Sequence, residues 1–143
     1  LKIFSPKTKV VNDVLYIYDD IRRKYLVLTP EEKVRQAFIH YLISEVGYSK
    51  NHIRTEMGLK YHSLSKRSDI LVFDKNGQPY MLVECKAESV ILNQEVVEQA
   101  SRYNLVSKAP YLCVTNGKST FCFHIDFEQN RTAQLKSIPL PQV

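Results

Sequence analysis

The dipeptide Asn76-Gly77 lies between two apolar runs, Ile70 to Phe73 and Pro79 to Val83. Asn-Gly between strand-like segments is the strongest short-range hairpin signal, because both residues tolerate the positive φ of a tight type I′ turn. With those two residues as the loop, Lys75 pairs with Gln78. Counting outward places Asp69 opposite Glu84 and Arg67 opposite Lys86. Directly opposed side chains share a face, with Cβ atoms roughly 4.5–5.5 Å apart. Alternation keeps Glu84 and Lys86 together and sends Val83, Cys85 and Ala87 to the other face.

Two carboxylates facing each other across strands rich in Ile, Leu, Val and Met repel one another. A divalent cation between them removes the conflict. Oxygen donors select a hard ion, Mg²⁺ with Mn²⁺ as a substitute, held by Asp69, Glu84 and the backbone carbonyl of Cys85. Such an ion polarises a phosphate oxygen and lowers the pKa of a bound water. Lys86 then positions that water or stabilises charge developing on the phosphorus centre. Two neighbouring carboxylates favour its protonated form, which argues against a general-base role. The competing reading is an ordinary cross-strand ion pair on a solvated face, since Glu-x-Lys alone is a common triplet.

The rest of the chain reads as one α/β domain over residues 1–143. Residues 14–28 suggest two short strands around Asp19-Asp20, part of an N-terminal strand or hairpin extension ending at residue 28. Arg22-Arg23-Lys24, the densest basic run, is either a solvated strand edge or a phosphate contact. The core spans 29–126. Its first helix runs from 30 to 46, with Thr29 as N-cap, Pro30 at the first position, Glu32 completing a capping box and Gly47 ending it. Val34, Phe38, Tyr41 and Leu42 form its apolar stripe. Glu31 falls on that stripe by spacing, whereas capping accounts for Glu32.

Three strand-like runs follow, near 52–60, 67–73 and 79–87. A second helix runs from about 94 to 107, capped by Asn93. Strands at Tyr111–Thr115 and Thr120–Ile125 flank an Asn116-Gly117 turn. The third strand, second helix and next strand form a right-handed parallel crossover. The expected architecture is a mixed β-sheet flanked by helices, with the order helix, three antiparallel strands, helix, strand. Residues 127–143 form a C-terminal extension; Pro139 and Pro141 there suggest a tail that frays or lies along the surface.

Composition narrows the functional class. Net charge is +5, which suits a polyanionic partner such as DNA. No stretch approaches the roughly 18 consecutive apolar residues of a membrane span. Three cysteines without a CxxC pair argue against a disulfide scaffold or zinc site and suit a reducing cytoplasm. Gly117-Lys118-Ser119 lacks the preceding glycine and following helix of a phosphate-binding loop, and reads as a hairpin turn. His40, His52, His62 and His124 show no metal-ligand spacing.

Glu-Cys-Lys at 84–86, after Arg-Ser-Asp-Ile-Leu-Val at 67–72, resembles the PD-(D/E)XK nuclease signature. More narrowly, Leu28 to Gln36, Arg67-Ser-Asp69, Val83 to Ala87 and Gln99-Ala-Ser-Arg-Tyr103 are similar to the N-terminal nuclease domain of type I restriction enzyme R subunits, in its short stand-alone form. The resemblance covers about residues 15–125 and departs from the signature at Ser68, where proline leads the aspartate motif. It implies a restriction-endonuclease-like core and Mg²⁺-dependent endonuclease cleavage of DNA. Asp69, Glu84 and Lys86 would be catalytic, with Glu31 and Gln99 in support. Tyr103, with Arg67 and Arg102, would contact nucleic acid. Gln99 and Tyr103 are four apart and share a helix face; Glu95 lies near it. The alternative is a non-catalytic nucleic-acid-binding module, or a subunit of a larger DNA defence or repair assembly, that keeps the fold. Partners would be DNA, a second copy in a homodimer, or other restriction or repair subunits, with no membrane.

Overall fold

A computed structural model of the chain describes residues 4–55 and 70–142. Nine strands and two long helices occur among them, in two separate sheets. The first is antiparallel: β1 (Thr8–Val11), β2 (Val14–Asp19) and β3 (Lys24–Val27), in that order. Asn12 and Asp13, both at positive φ, form a two-residue turn that joins Val11 to its partner Val14. The sequence reading recognised the strands around Asp19 but not β1. Asp19 is fully buried; its carboxylate accepts bonds from the amides of Ile21 and Arg22 and from Arg22 Nε.

The second sheet carries six strands in chain order: β4 (Ile53–Thr55), β5 (Ile70–Phe73), β6 (Pro79–Cys85), β7 (Tyr111–Thr115), β8 (Thr120–Asp126) and β9 (Arg131–Leu135). Every pairing is antiparallel except β6 with β7, which α2 (Gln94–Ser107) links as a crossover. The class is the expected α/β mixed sheet. β9 is a correction: part of the segment expected to fray or lie along the surface is a strand of the sheet. The tail beyond it is pinned, because Tyr48 Oη donates to Pro139 O at 2.6 Å and Tyr80 Oη to Leu140 O at 2.8 Å.

α1 (Pro30–Tyr41) begins as its sequence dictates, with Thr29 Oγ1 accepting from Glu32 N at 3.0 Å. Its last turn departs from the expectation of a regular helix to residue 46. Leu42–Val46 is π-helical and ends at Gly47, whose φ of +102° only glycine adopts without strain. α2 matches the expected limits, and Asn93 Oδ1 accepts from Val96 N.

The helices pack on opposite faces of the large sheet. Val34, Phe38, Ile39 and Leu42 of α1 meet Ile70, Val72, Met81, Val83, Cys85, Cys113 and Cys122. On the other face Ala100, with Val96 and Val97, meets Leu71, Leu82, Leu112 and Val114. Strand alternation alone sorts these two sets.

The β5–β6 hairpin has the expected register by an unexpected route. Ile70 pairs with Val83, Leu71 with Leu82 and Val72 with Met81, as counted from the sequence. Yet the loop is wider than Asn76-Gly77. Asp74 Oδ1 accepts from Asn76 N and Gln78 N, and Asp74 N donates to Gln78 O, so Gln78 faces Asp74 and Lys75 joins the loop. An aspartate that captures amides two and four residues on favours this wider turn. Phe73 consequently pairs with Pro79, and a bulge at Tyr80 restores the count. That bulge also turns Tyr80 onto the α1 face, against Tyr48 and Tyr111.

Candidate active site

β6 lies between β5 and β7 with a helix over each face. Leu82 belongs to the α2-side cluster, so Glu84, two residues on, points the same way while Cys85 joins the α1 side. Glu84 is only 2% exposed. Lys86 Nζ lies 3.4 Å from Glu84 Oε2, as two residues sharing a strand face allow. The Lys86 amide donates to Thr115 O at 2.8 Å, which carries the parallel ladder one step past the strand and fixes the lysine backbone. The burial of Glu84 is inconsistent with an ion pair on a solvated face. The Cys85 thiol is buried in the α1-side core, leaving its carbonyl as the group suited to a hard cation.

Asp69 and Arg67 lie outside the described residues. Among the described residues no three His, Cys, Asp or Glu side chains gather closely enough to hold a metal ion. Those present, a carboxylate and a backbone carbonyl at consecutive residues, are the hard oxygen donors that Mg²⁺ prefers.

α2 stands over the face that carries Glu84. It directs Ala100, Tyr103 and Asn104 inward, leaves Gln99 half-buried, and exposes Arg102 and Glu95. Tyr103, expected as a nucleic-acid contact, is 8% exposed, so little of its ring is presented to solvent. Asn104 is fully buried and clamps the helix to the entry of β7. Its Nδ2 donates to Ala109 O at 2.9 Å and its Oδ1 accepts from Ala109 N at 3.1 Å.

On α1 the expected roles of the two glutamates are reversed. Glu31 is exposed, not inward; Glu32 is 8% exposed. The Glu32 carboxylate pairs with the fully buried Arg35 guanidinium and accepts from Gln36 Nε2 at 2.8 Å. It therefore does not close the second half of a capping box. Sequence reading missed this cluster, although its signal was present. Arg35 and Gln36 stand three and four residues after Glu32, the spacing at which helix side chains meet. The Gly117-Lys118-Ser119 segment is a hairpin turn as expected, with Asn116 Oδ1 accepting from the amides of Lys118 and Ser119.

The fold and site together define a three-layer α/β protein with an acid–lysine pair at the end of a strand in its parallel step. Residues 30–139 match the family described as type I restriction enzyme R protein N terminus, and the chain belongs to that family. No curated protein and no solved structure matches it.

Proposed function

We propose that this chain is a Mg²⁺-dependent endonuclease domain that hydrolyses DNA phosphodiester bonds, with Asp69, Glu84 and Lys86 as its catalytic centre. The observation that carries the reading is Glu84, a carboxylate 2% exposed on a central strand, with an ammonium 3.4 Å away on the same face. Desolvating such a group is costly, and a fold retains it where charge is needed. Membership of a restriction-enzyme family supports DNA as the substrate. Asp69 precedes Ile70, whose partner Val83 adjoins Glu84.

Glu84, Asp69 and the Cys85 carbonyl would hold the cation, which when bound supplies Lewis-acid stabilisation of the phosphate. Lys86 is held by its backbone bond to β7, with its Nζ 3.4 Å from Glu84 Oε2. It orients the attacking water and balances negative charge on the phosphate. Gln99, half-buried on α2, is a positioning residue above this face. Glu31, expected in support, is exposed at the start of α1. The domain works on DNA alone, as a homodimer or beside other restriction subunits.

Purified protein incubated with supercoiled plasmid should nick it with Mg²⁺ or Mn²⁺ and not with EDTA. Glu84→Gln, Asp69→Asn and Lys86→Ala should each lower the rate by roughly 10²–10³, the scale of removing one charge-stabilising group. Metal-dependent cleavage that survives all three substitutions would falsify the assignment.

A further inference from the structure

The three-stranded sheet β1–β3 precedes the span that matches the restriction family, and its outer face has a composition the family core does not explain. The register pairs Lys9 with Tyr16, Val11 with Val14, Tyr16 with Val27 and Tyr18 with Tyr25. Lys7 O accepts from Tyr18 N, which extends the same alternation one step. Directly paired residues share a face, so one face carries Lys7, Lys9, Val11, Val14, Tyr16, Tyr18, Tyr25 and Val27. The opposite face carries Ile17 and Asp19, both fully buried, at one end and the exposed pair Val10 and Leu15 at the other.

No carboxylate stands among those eight positions. Lys7 Nζ sits 4.9 Å above the Tyr18 ring and Lys9 Nζ 4.1 Å above the Tyr25 ring. The two rings meet edge-on at 5.1 Å. Of the acids nearby, Asp19 pairs with Arg22 and Asp20 with Lys50, while Asp13 stands exposed in the turn at the Val11–Val14 end of the face. Arg23 is exposed at the turn into β3; Lys24, also exposed, pairs with Asp19 and belongs to the opposite face.

We infer that this face binds a single-stranded polynucleotide, separately from the proposed catalytic centre. Sequence-tolerant single-strand binding combines a cationic track for phosphates with aromatic rings on which bases stack. Both are here on adjacent strands. An ammonium resting on a half-buried ring at the surface, as on Tyr18 and Tyr25, holds a weak contact. A nucleotide replaces it with a phosphate for the lysine and a base for the tyrosine. Val11, Val14 and Val27, all substantially exposed, extend the face as apolar surface for further bases. Charge complementarity favours a polyanion over a second copy of this basic chain, because like charges would then be brought together.

The test uses a fluorescein-labelled oligothymidylate of about 12 nucleotides, followed by anisotropy in EDTA so that metal-dependent cleavage plays no part. The wild-type chain should bind it more tightly than the matching duplex, with affinity falling as salt rises. Lys7→Glu with Lys9→Glu, both on exposed side chains, should weaken binding at least tenfold and flatten the salt dependence. Tyr18→Leu and Tyr25→Leu keep apolar packing and remove the ring; each should weaken binding roughly 5- to 100-fold, the range of one lost base stack. Circular dichroism checks that each variant is folded. Three results would overturn the inference: unchanged affinity in the lysine pair, unchanged affinity in both leucine variants, or equal binding of duplex and single strand. Sedimentation showing a dimer that Val27→Glu dissociates would assign the face to self-association instead. Because the assay contains no divalent metal, its failure leaves the nuclease reading standing, and the reverse holds too.

Discussion

Replacing Asn104 by alanine tests how α2 is fixed over the face that carries Glu84. The native amide makes two bonds to one residue, to Ala109 O at 2.9 Å and from Ala109 N at 3.1 Å, and both residues are fully buried. Alanine leaves the Ala109 amide and carbonyl without these partners in a place water does not reach. Each stranded group costs about 1–3 kcal/mol, so the pair should cost about 3 kcal/mol. With a urea m-value near 2 kcal/mol/M, the midpoint should fall by roughly 1.5 M. The melting temperature should drop by roughly 10 °C. Leu105→Ala, one residue on and 59% exposed, is the control and should stay within about 0.5 kcal/mol of wild type. Equilibrium urea unfolding followed by far-ultraviolet circular dichroism measures both. A loss below about 1 kcal/mol for Asn104→Ala would refute the reasoning, since it would mean that the two backbone groups find other partners.

Two further perturbations probe other parts of the fold. Glu32→Ala takes one carboxylate partner from the fully buried Arg35 guanidinium and should cost about 3–5 kcal/mol, the scale of breaking one side of a buried pair. Replacing Glu32 and Arg35 together with glutamine and methionine should recover part of that loss in the same unfolding measurement. Tyr48 tests alkaline stability: burial, then the neighbouring Tyr80, Cys113, Tyr111 and Cys122, raises its phenol well above the ordinary value. The unfolded phenol ionises near pH 10 while the folded one keeps its proton. The unfolded state then binds fewer protons, so this contribution is intact below about pH 10 and is lost as pH rises beyond it. Unfolding midpoints from about pH 8 to about pH 11 should fall more steeply for wild type than for Tyr48→Phe; parallel curves would contradict the assignment.

Much of this fold was legible because its cues are local. Thr29-Pro30 and Asn93 fix where the helices start, and period-two patterning sorts Val83 and Cys85 from Leu82 and Glu84. The β5–β6 register was read correctly although the turn was not. Asp74 widens the loop by side-chain capture of backbone amides, and the Tyr80 bulge cancels the change. Neither effect is visible in an Asn-Gly signal. β9 escaped notice because Arg131–Leu135 is polar and mostly exposed, as an edge strand is, and so lacks an apolar pattern. The roles of Glu31 and Glu32 were reversed because helical spacing gives an angle about the axis and not what stands opposite. A buried Arg35 draws Glu32 inward. Of the site itself, the shared face of Glu84 and Lys86 was readable, whereas the burial of Glu84 needed the layers on both sides.

The single parallel pairing has a kinetic meaning. The large sheet consists of two meanders, β4-β5-β6 and β7-β8-β9, each built from neighbours in the chain. They join along the β6–β7 seam, where Met81 to Cys85 align with Tyr111 to Thr115, across the whole α2 crossover. Contacts between neighbours close cheaply, while a seam that spans a long connection bears the larger entropy cost and forms late. A chain with only the β4–β6 half folded already holds Glu84 on its strand but not the backbone that anchors Lys86. Completion of the site therefore coincides with the union of the two halves.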